Sequence, residues 1–286
     1  MKSIPIPVRM VGPGAHVEEE ELQYLDMPRD MRTFTMPHVP EDADSTALTG
    51  ARDLLATFLA QLNRWQGQGP APRLDLGGVD PAVQRIVNEM LGDGEVSIRV
   101  DGIRRLHIQE SVFTGLWRVV ELDASGGLQA DWVEAGPLPA AVLEAARDGA
   151  GLGLKQTSVP PGAMNSPALL HELNAQSNGR RPGTPAHVIN LTLFPLSPED
   201  HQVLERALPV GPVAIISRGF GNCRVTSTLA RDVWRVQYFN SMNTLILNTI
   251  EVVDVPEVAL AAAEDLADSR GRLAELIDWM SESCPQ

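Results

Sequence analysis

Residues Gly211 to Glu251 read GPVAIISRGFGNCRVTSTLARDVWRVQYFNSMNTLILNTIE. Alternating apolar residues, broken by glycine- and asparagine-bearing turns, predict four strands here, over 212–217, 223–229, 233–239 and 244–253. A fainter copy lies 117 residues upstream, where Gly211 falls on Gly94, Val213 on Val96, Ile215 on Ile98 and Gly219 on Gly102. Without a gap, Trp234-Arg235-Val236 then falls on Trp117-Arg118-Val119, Glu251 on Glu134 and Pro256 on Pro139. In the other direction Pro198 falls on Pro81, and Leu191-Thr192-Leu193 on Leu74-Asp75-Leu76. Chance supplies a shared tripeptide, but not one set in a gapless register of matching strand and cap positions. The chain reads as a tandem duplication of one α+β unit. Each unit runs helix, strand, helix, about four mostly antiparallel strands and a closing helix, so two similar lobes are expected.

Outward from the repeat, the boundaries follow from composition. Residues 1–45 are proline-dense and carry the acidic run Glu18 to Glu21, which predicts an extended arm. The first repeat occupies 46–148. Its leading helix covers 49–65, with Leu54, Leu55, Phe58, Leu59 and Leu62 at helical spacing. Asp80-Pro81 is an N-cap followed by proline at the first helical position. A glycine- and proline-rich connector over 149–167 separates the repeats. The second repeat, 168–286, is expected to place a strand over 187–194, a helix capped by Ser197, and a last helix from Pro256 that breaks near Gly271.

Composition narrows the chemistry. Among 286 residues, 37 are acidic and 23 basic, a net charge of −14 that argues against sequence-independent nucleic-acid binding. Two cysteines, Cys223 and Cys284, build neither a disulfide framework nor a CxxC site. The six histidines form no HxH or HxxxH arrangement, so no resident metal or other cofactor is expected. No run of 18 apolar residues occurs and the amino terminus lacks a secretory h-region, so the expected compartment is the cytoplasm, with no membrane association.

Few residues stand out as chemistry. Cys223 shares a strand face with Val225 and Ser227; it is either a small buried hydrophobe or a thiol beside the Gly219–Asn222 turn. Gly219-Phe220-Gly221 lacks a third glycine and runs into a strand, which excludes a phosphate loop. Asn240-Ser241 sits in a turn, where such side chains bond locally. Asn248, in an apolar strand, either ties the sheet together or lines a site. Arg118 and Arg235 each follow a tryptophan, Trp117 and Trp234. They either face away from the core or turn inward to pair with Glu134 and Glu251. Nothing in these spacings marks an enzyme.

Whole phrases nevertheless resemble one family. His187-Val-Ile-Asn-Leu-Thr-Leu-Phe-Pro-Leu-Ser-Pro-Glu-Asp200, Ser217 through Arg224, Trp234 through Ser241 and Ile246 through Val252 are similar to the carboxy-terminal domain of hydrogenase expression/formation proteins of the HupH/HyaF type. So are Val255-Pro-Glu-Val258 and, near the start, Ile4-Pro-Ile-Pro-Val8. The resemblance implies a non-catalytic accessory protein or chaperone for maturation of [NiFe] hydrogenase, binding the iron–sulfur small-subunit precursor before export, with other maturation factors as further partners. The first repeat carries Leu106 where the second has Cys223, and Asp123-Ala124 where it has Asn240-Ser241. The implied partner surface therefore lies on the second repeat, at Arg218, Gly219, Gly221, Asn222, Cys223, Arg224, Asn240, Ser241 and Asn248. The rival reading is a thiol-dependent redox or iron–sulfur carrier using Cys223.

Overall fold

A computed structural model describes residues 44–67, 69–151, 153–219 and 221–282. All but the end of the expected arm over 1–45 lies outside the described residues. The first repeat runs α1 (Ser45–Arg64), β1 (Arg73–Asp75), α2 (Pro81–Leu91), β2 (Val96–Asp101), β3 (Arg105–Glu110), β4 (Leu116–Leu122), β5 (Leu128–Ala135) and α3 (Ala140–Asp148). The second runs α4 (Ser166–Gly179), β6 (His187–Asn190), α5 (Pro198–Ala207), β7 (Val210–Ser217), β8 (Asn222–Thr228), β9 (Val233–Phe239), β10 (Leu245–Val252) and α6 (Ala263–Glu282).

All ten strands form one antiparallel sheet, in the order β1-β5-β4-β3-β2-β7-β8-β9-β10-β6. The order is the same read outward from either side of the centre. There β2 lies against β7, and Ile98 faces Ile215, its own counterpart in the repeat. Val96 faces Ser217 and Val100 faces Val213. A pseudo-twofold axis thus passes between the two isoleucines, and the repeat unit pairs with its copy through the same strand. The outermost strands are short, three residues in β1 and four in β6, which limits open sheet edge.

Local signals account for the elements. The Asp80 carboxylate accepts from Ala82 N at 2.8 Å and starts α2. Ser197 and Asp200 form a reciprocal capping box at α5. The matched glycines Gly94, just ahead of β2, and Gly211, at the start of β7, are fixed by close approach of backbone. A Cβ on Gly94 would run into the Ser111 carbonyl, and one on Gly211 would lie 2.8 Å from the Thr228 carbonyl oxygen. Ser111 and Thr228 are themselves matched positions.

One sheet face carries a core that is continuous across both lobes: Ile98, Val119, Trp117 and Trp132 meet Ile215, Val236 and Trp234 beneath α3. The other face carries two separate cores. Under α1, α2 and α6 lie Leu55, Phe58, Ile86, Met90 and Val133; under α4 and α5 lie Leu173, Leu204, Ile189 and Ile250. Each fully buried large side chain contributes roughly 1.5–3 kcal/mol. The last helix crosses over: α6 follows the second repeat but packs on α1 of the first, through Leu266, Leu273, Ile277 and Met280.

Three expectations change. The helix expected from Pro256 begins at Ala263, after a 3-10 turn over Glu257–Ala259. It passes unbroken through Gly271, which stands on an open side, because buried residues on either side hold it down. The strand expected over 187–194 ends at Asn190 and gives way to a 3-10 turn over Leu191–Leu193. Leu74 pairs with Val133, whereas Ile250, the counterpart of Val133, pairs with Ile189. The edge strand has slipped by two residues, which keeps its inward face while Leu193, matched to buried Leu76, becomes 79% exposed.

Candidate functional site

The β7–β8 and β9–β10 turns share one end of the second lobe. Asn222 stands opposite Phe239, and its side-chain amide donates to Asn243 Oδ1 at 3.4 Å. Gly221 has φ +93°, and Gly219 lies so close to the Glu95 carboxylate that any Cβ would collide with it. Arg218 N donates to the Glu95 carbonyl at 3.2 Å. Ser241 is exposed. Asn240 Oδ1 accepts from Met242 N and Thr244 N, both at 2.9 Å. Asp123 Oδ1 builds the same turn in the first lobe, accepting from Ser125 N and Gly127 N at 2.8 Å. Polar turn chemistry therefore belongs to both lobes, since either side chain supplies the needed acceptor.

The remaining expected site residues separate. Cys223 faces the tryptophan side and is 3% exposed. Burial pushes its thiol up to about 11, against the opposing effect of a hydrogen bond with Tyr238. Arg224 projects to the other face, 5.4 Å from the Phe239 ring, and its Nε is buried without a hydrogen-bond partner among the described residues. Asn248 is on that face too. Its Oδ1 accepts from Arg235 Nε at 3.4 Å, and its backbone N–H donates to Thr192 Oγ1 at 2.8 Å. Asn248 thus ties β10 to its neighbours. The nine residues form a turn tip and two opposite faces, not one cluster.

The paired arginines likewise face away from the tryptophans. Arg118 Nη2 and Nε donate to Asp131 at 2.8 and 3.2 Å. Asp131 is the counterpart of Asn248 in the repeat. Glu134 stands directly opposite Trp117, so it lies on the indole face, where Arg118 does not reach. It accepts instead from Trp132 Nε1 at 3.0 Å and Ala140 N at 3.1 Å. Glu251 is likewise opposite Trp234. The inward Arg118–Glu134 and Arg235–Glu251 pairs are therefore overturned by strand register. The tryptophans do match: Trp117 Nε1 donates to Gly136 O at 2.8 Å and Trp234 Nε1 to Val253 O at 3.1 Å, again counterparts.

Two of the openings lie on opposite faces of the sheet. On the arginine face a cavity of about 350 Å³ spans the β2–β7 join, lined by Arg99, His107 and Arg118 from one lobe and Ala214 and Ile216 from the other. Its arginines are already matched, Arg99 to Asp101 and Arg118 to Asp131, each at 2.8 Å. On the tryptophan face of the second lobe lies a cleft of about 560 Å³, with Tyr238 and Glu251 among its lining residues. Sequence reasoning did not single out Tyr238 or Thr249. The signal was in the register, where Thr249 takes the place of Trp132 and Tyr238 that of Glu121. No helix among the described residues is long and apolar enough to cross a membrane.

Comparison with known proteins agrees with this duplicated architecture. The model of the "HupH hydrogenase expression protein, C-terminal conserved region" matches residues 48–151 and 163–280, one stretch in each lobe. The hydrogenase expression/formation protein HoxQ of Cupriavidus necator is 44% identical, over 98% of this chain and 99% of its own. HupH of Rhodobacter capsulatus is 45% identical, over 93% and 94%. The hydrogenase-1 operon protein HyaF of Escherichia coli is 32% identical, over 96% and 97%. A solved structure of HupH from Thiobacillus denitrificans, 27% identical, aligns over 39% of this chain and 92% of its own with a TM-score of 0.37. With relatives this similar along nearly the whole chain and the family's conserved region present in each lobe, the protein belongs to the HupH-type hydrogenase expression/formation proteins.

Proposed function

We propose that this chain is a non-catalytic accessory protein in [NiFe] hydrogenase maturation, acting in the cytoplasm as a chaperone that binds the iron–sulfur small-subunit precursor before export. The observation that carries the reading is family membership across both lobes. The binding surface is assigned to the second lobe, at its turn tip and adjoining faces. Co-purification from cells expressing the precursor is the test. Enrichment of the precursor over an unrelated exported protein supports the reading, and equal recovery of the two defeats it.

The thiol-dependent alternative has less physical support. A thiol buried this far, with its pKa pushed up to about 11, is protonated near neutral pH, and the thiolate is the nucleophile and metal ligand. Cys223→Ser is expected to leave hydrogenase maturation within about twofold of wild type, measured by hydrogenase activity in a complemented deletion strain. Loss of maturation by a folded variant would restore the thiol mechanism.

A further inference from the structure

The tryptophan face is finished differently in the two lobes. In the first lobe Trp132 is 1% exposed, donates to the Glu134 carboxylate and supports the Arg73 guanidinium 3.9 Å from its ring centre. That carboxylate also holds the backbone N–H of Ala140. In the second lobe the counterpart of Trp132 is Thr249, and the counterpart of α3, which begins at Ala140, is only the 3-10 turn Glu257–Ala259. Thr249 is itself buried, and the second lobe's cleft lies beside it, lined by Tyr238 and Glu251 and by residues that follow β10.

What lines that opening is specific. Its walls are apolar: Val188 is 50% exposed and Leu260 40% exposed, with Val253 and Val258 between. The polar residues lining it are two carboxylates, Glu251 and Glu257, with Tyr238 and Thr184, whose hydroxyl already donates to Arg181 O and accepts from Arg180. Among the described residues Glu251 accepts one hydrogen bond, from Thr249 Oγ1 at 3.2 Å, where its counterpart accepts two. Burial raises the Glu251 pKa, as expected for a carboxylate short of donors. The neighbouring guanidinium, Arg180, is engaged elsewhere, 3.1 Å from Asp254 and donating to Thr184. Val188 of β6 lines the cleft, and among the described residues β6 is an edge strand with no further strand paired to its outer side.

We propose that this cleft seats an extended apolar peptide segment of a partner protein bearing one lysine or arginine, with the cation placed against Glu251. Charge complementarity selects the cation, and the apolar walls select the residues on either side of it. The volume lies within the range of ordinary ligand sites. The partner's identity as the hydrogenase precursor rests on the function proposed above; the peptide chemistry does not.

A fluorescein-labelled peptide, Ala-Val-Leu-Lys-Val-Leu-Ala, and its analogue with norleucine for lysine separate the two questions. Titrated against the full chain by fluorescence anisotropy, the lysine peptide is expected to bind at least about tenfold tighter, the scale of one hydrogen bond to a charged group. Glu251→Gln should remove that preference and leave the norleucine peptide within about twofold. Val258→Trp should weaken both peptides by filling the cleft from its own lining. Leu260→Trp, at another lining position, gives the same test if the first variant misfolds. Equal affinity of wild type for the two peptides, binding of neither, or a lysine preference that survives Glu251→Gln would each overturn the proposal. Peptide binding without precursor recovery would sink the client assignment and leave the cleft standing. Precursor recovery without peptide binding would do the reverse.

Discussion

The two lobes have the same strand order and the same Trp-Arg-Val, with its tryptophan and valine buried, yet they finish their cores differently. In the first lobe a buried tryptophan, Trp132, packs on the tryptophan face; in the second its counterpart is the smaller, buried Thr249. On that face the second lobe carries a cleft beside Glu251. The largest effect is expected from erasing that difference. Trp132→Thr removes a fully buried indole, takes one of the two donors from Glu134 and releases Arg73, costing about 3–5 kcal/mol. Thr249→Ala on the other side should cost about 1 kcal/mol. Urea titration of both variants checks the contrast, and similar midpoints would mean that the lobes are packed alike.

The helical layers differ as sharply. In the second lobe the buried Asp200 carboxylate accepts from Asn165 N at 3.0 Å, from Ser166 N and Ser166 Oγ at 2.8 Å, and from Ser197 N at 3.1 Å. One side chain thus fastens the starts of α4 and α5 together. Its counterpart in the first lobe is Val83, packed beside Gly50. Asp200→Ala leaves several amides without an acceptor and is expected to cost about 3 kcal/mol, against about 1 kcal/mol for Val83→Ala. Burial alone would raise the Asp200 pKa, but the hydrogen bonds from Ser166, Ser197 and Asn165 outweigh it and hold it at about 2, below the ordinary 3.8. The contribution is therefore present above pH 3.8 and lost as pH falls through about 2. Acid unfolding of the wild type should show a component in that window that the alanine variant lacks.

Much of this was legible in the chain because duplication repeats its local constraints. The glycines at 94 and 211, the caps at 80 and 197 and the tryptophans at 117 and 234 each do one job twice, so a fixed offset finds them. What depends on tertiary register was not legible. Arg118 meets Asp131 and not Glu134 because the β4–β5 pairing sets Glu134 opposite Trp117, and that pairing depends on how the turn closes. The two-residue slip of β6 broke the offset at the sheet edge, where no second neighbour fixes the register. The return of α6 to the first lobe left no mark, since its buried heptad-like face states that it is covered but not by what. For the candidate site, the residues with family likeness were findable as words, but their division between two faces was not.

A smaller contrast lies at the ends of β3 and β8, where Glu110 and Ser227 are counterparts. Ser227 Oγ accepts from Val213 N at 3.0 Å, and Glu110 is 6% exposed while accepting from Gly115 N at 3.1 Å. Burial pushes the Glu110 carboxyl up to about 7 from an ordinary 4.5, with Glu95 adding to the effect and the Gly115 amide opposing it. A raised folded value means that the native state holds a proton the unfolded chain releases, so this contribution is complete below pH 4.5 and is lost as pH rises through about 7. Glu110→Gln keeps the acceptor for Gly115 and removes the titration. It should match wild type near pH 5 and exceed it at pH 8 by on the order of 2 kcal/mol. Parallel pH–stability curves for the two proteins would remove the distinction between these matched positions.

The smallest expected difference concerns the matched arginines, and it tests the comparison most directly. Asp131 is 2% exposed and also accepts from Gln84 Nε2 at 2.7 Å, while Arg118 is about one-third exposed. Asp131→Asn converts the ion pair of the first lobe into the amide contact that Arg235 already makes in the second. Solvent reaches the arginine, so losing the charge should cost only about 0.5–1 kcal/mol, and the cost should shrink as salt rises from 0.05 to 0.5 M. The converse change, Asn248→Asp, should return a similar or smaller amount with the opposite salt dependence. If Asp131→Asn instead cost several kcal/mol at every salt concentration, the carboxylate would be an obligatory buried partner, and Arg118–Asp131 and Arg235–Asn248 would be different devices at the same address. A small, salt-sensitive cost means that the charge on this face was free to change after duplication. The aromatic layer on the opposite face was not equally free, because replacing Trp132 opens a hole that no solvent screening can fill.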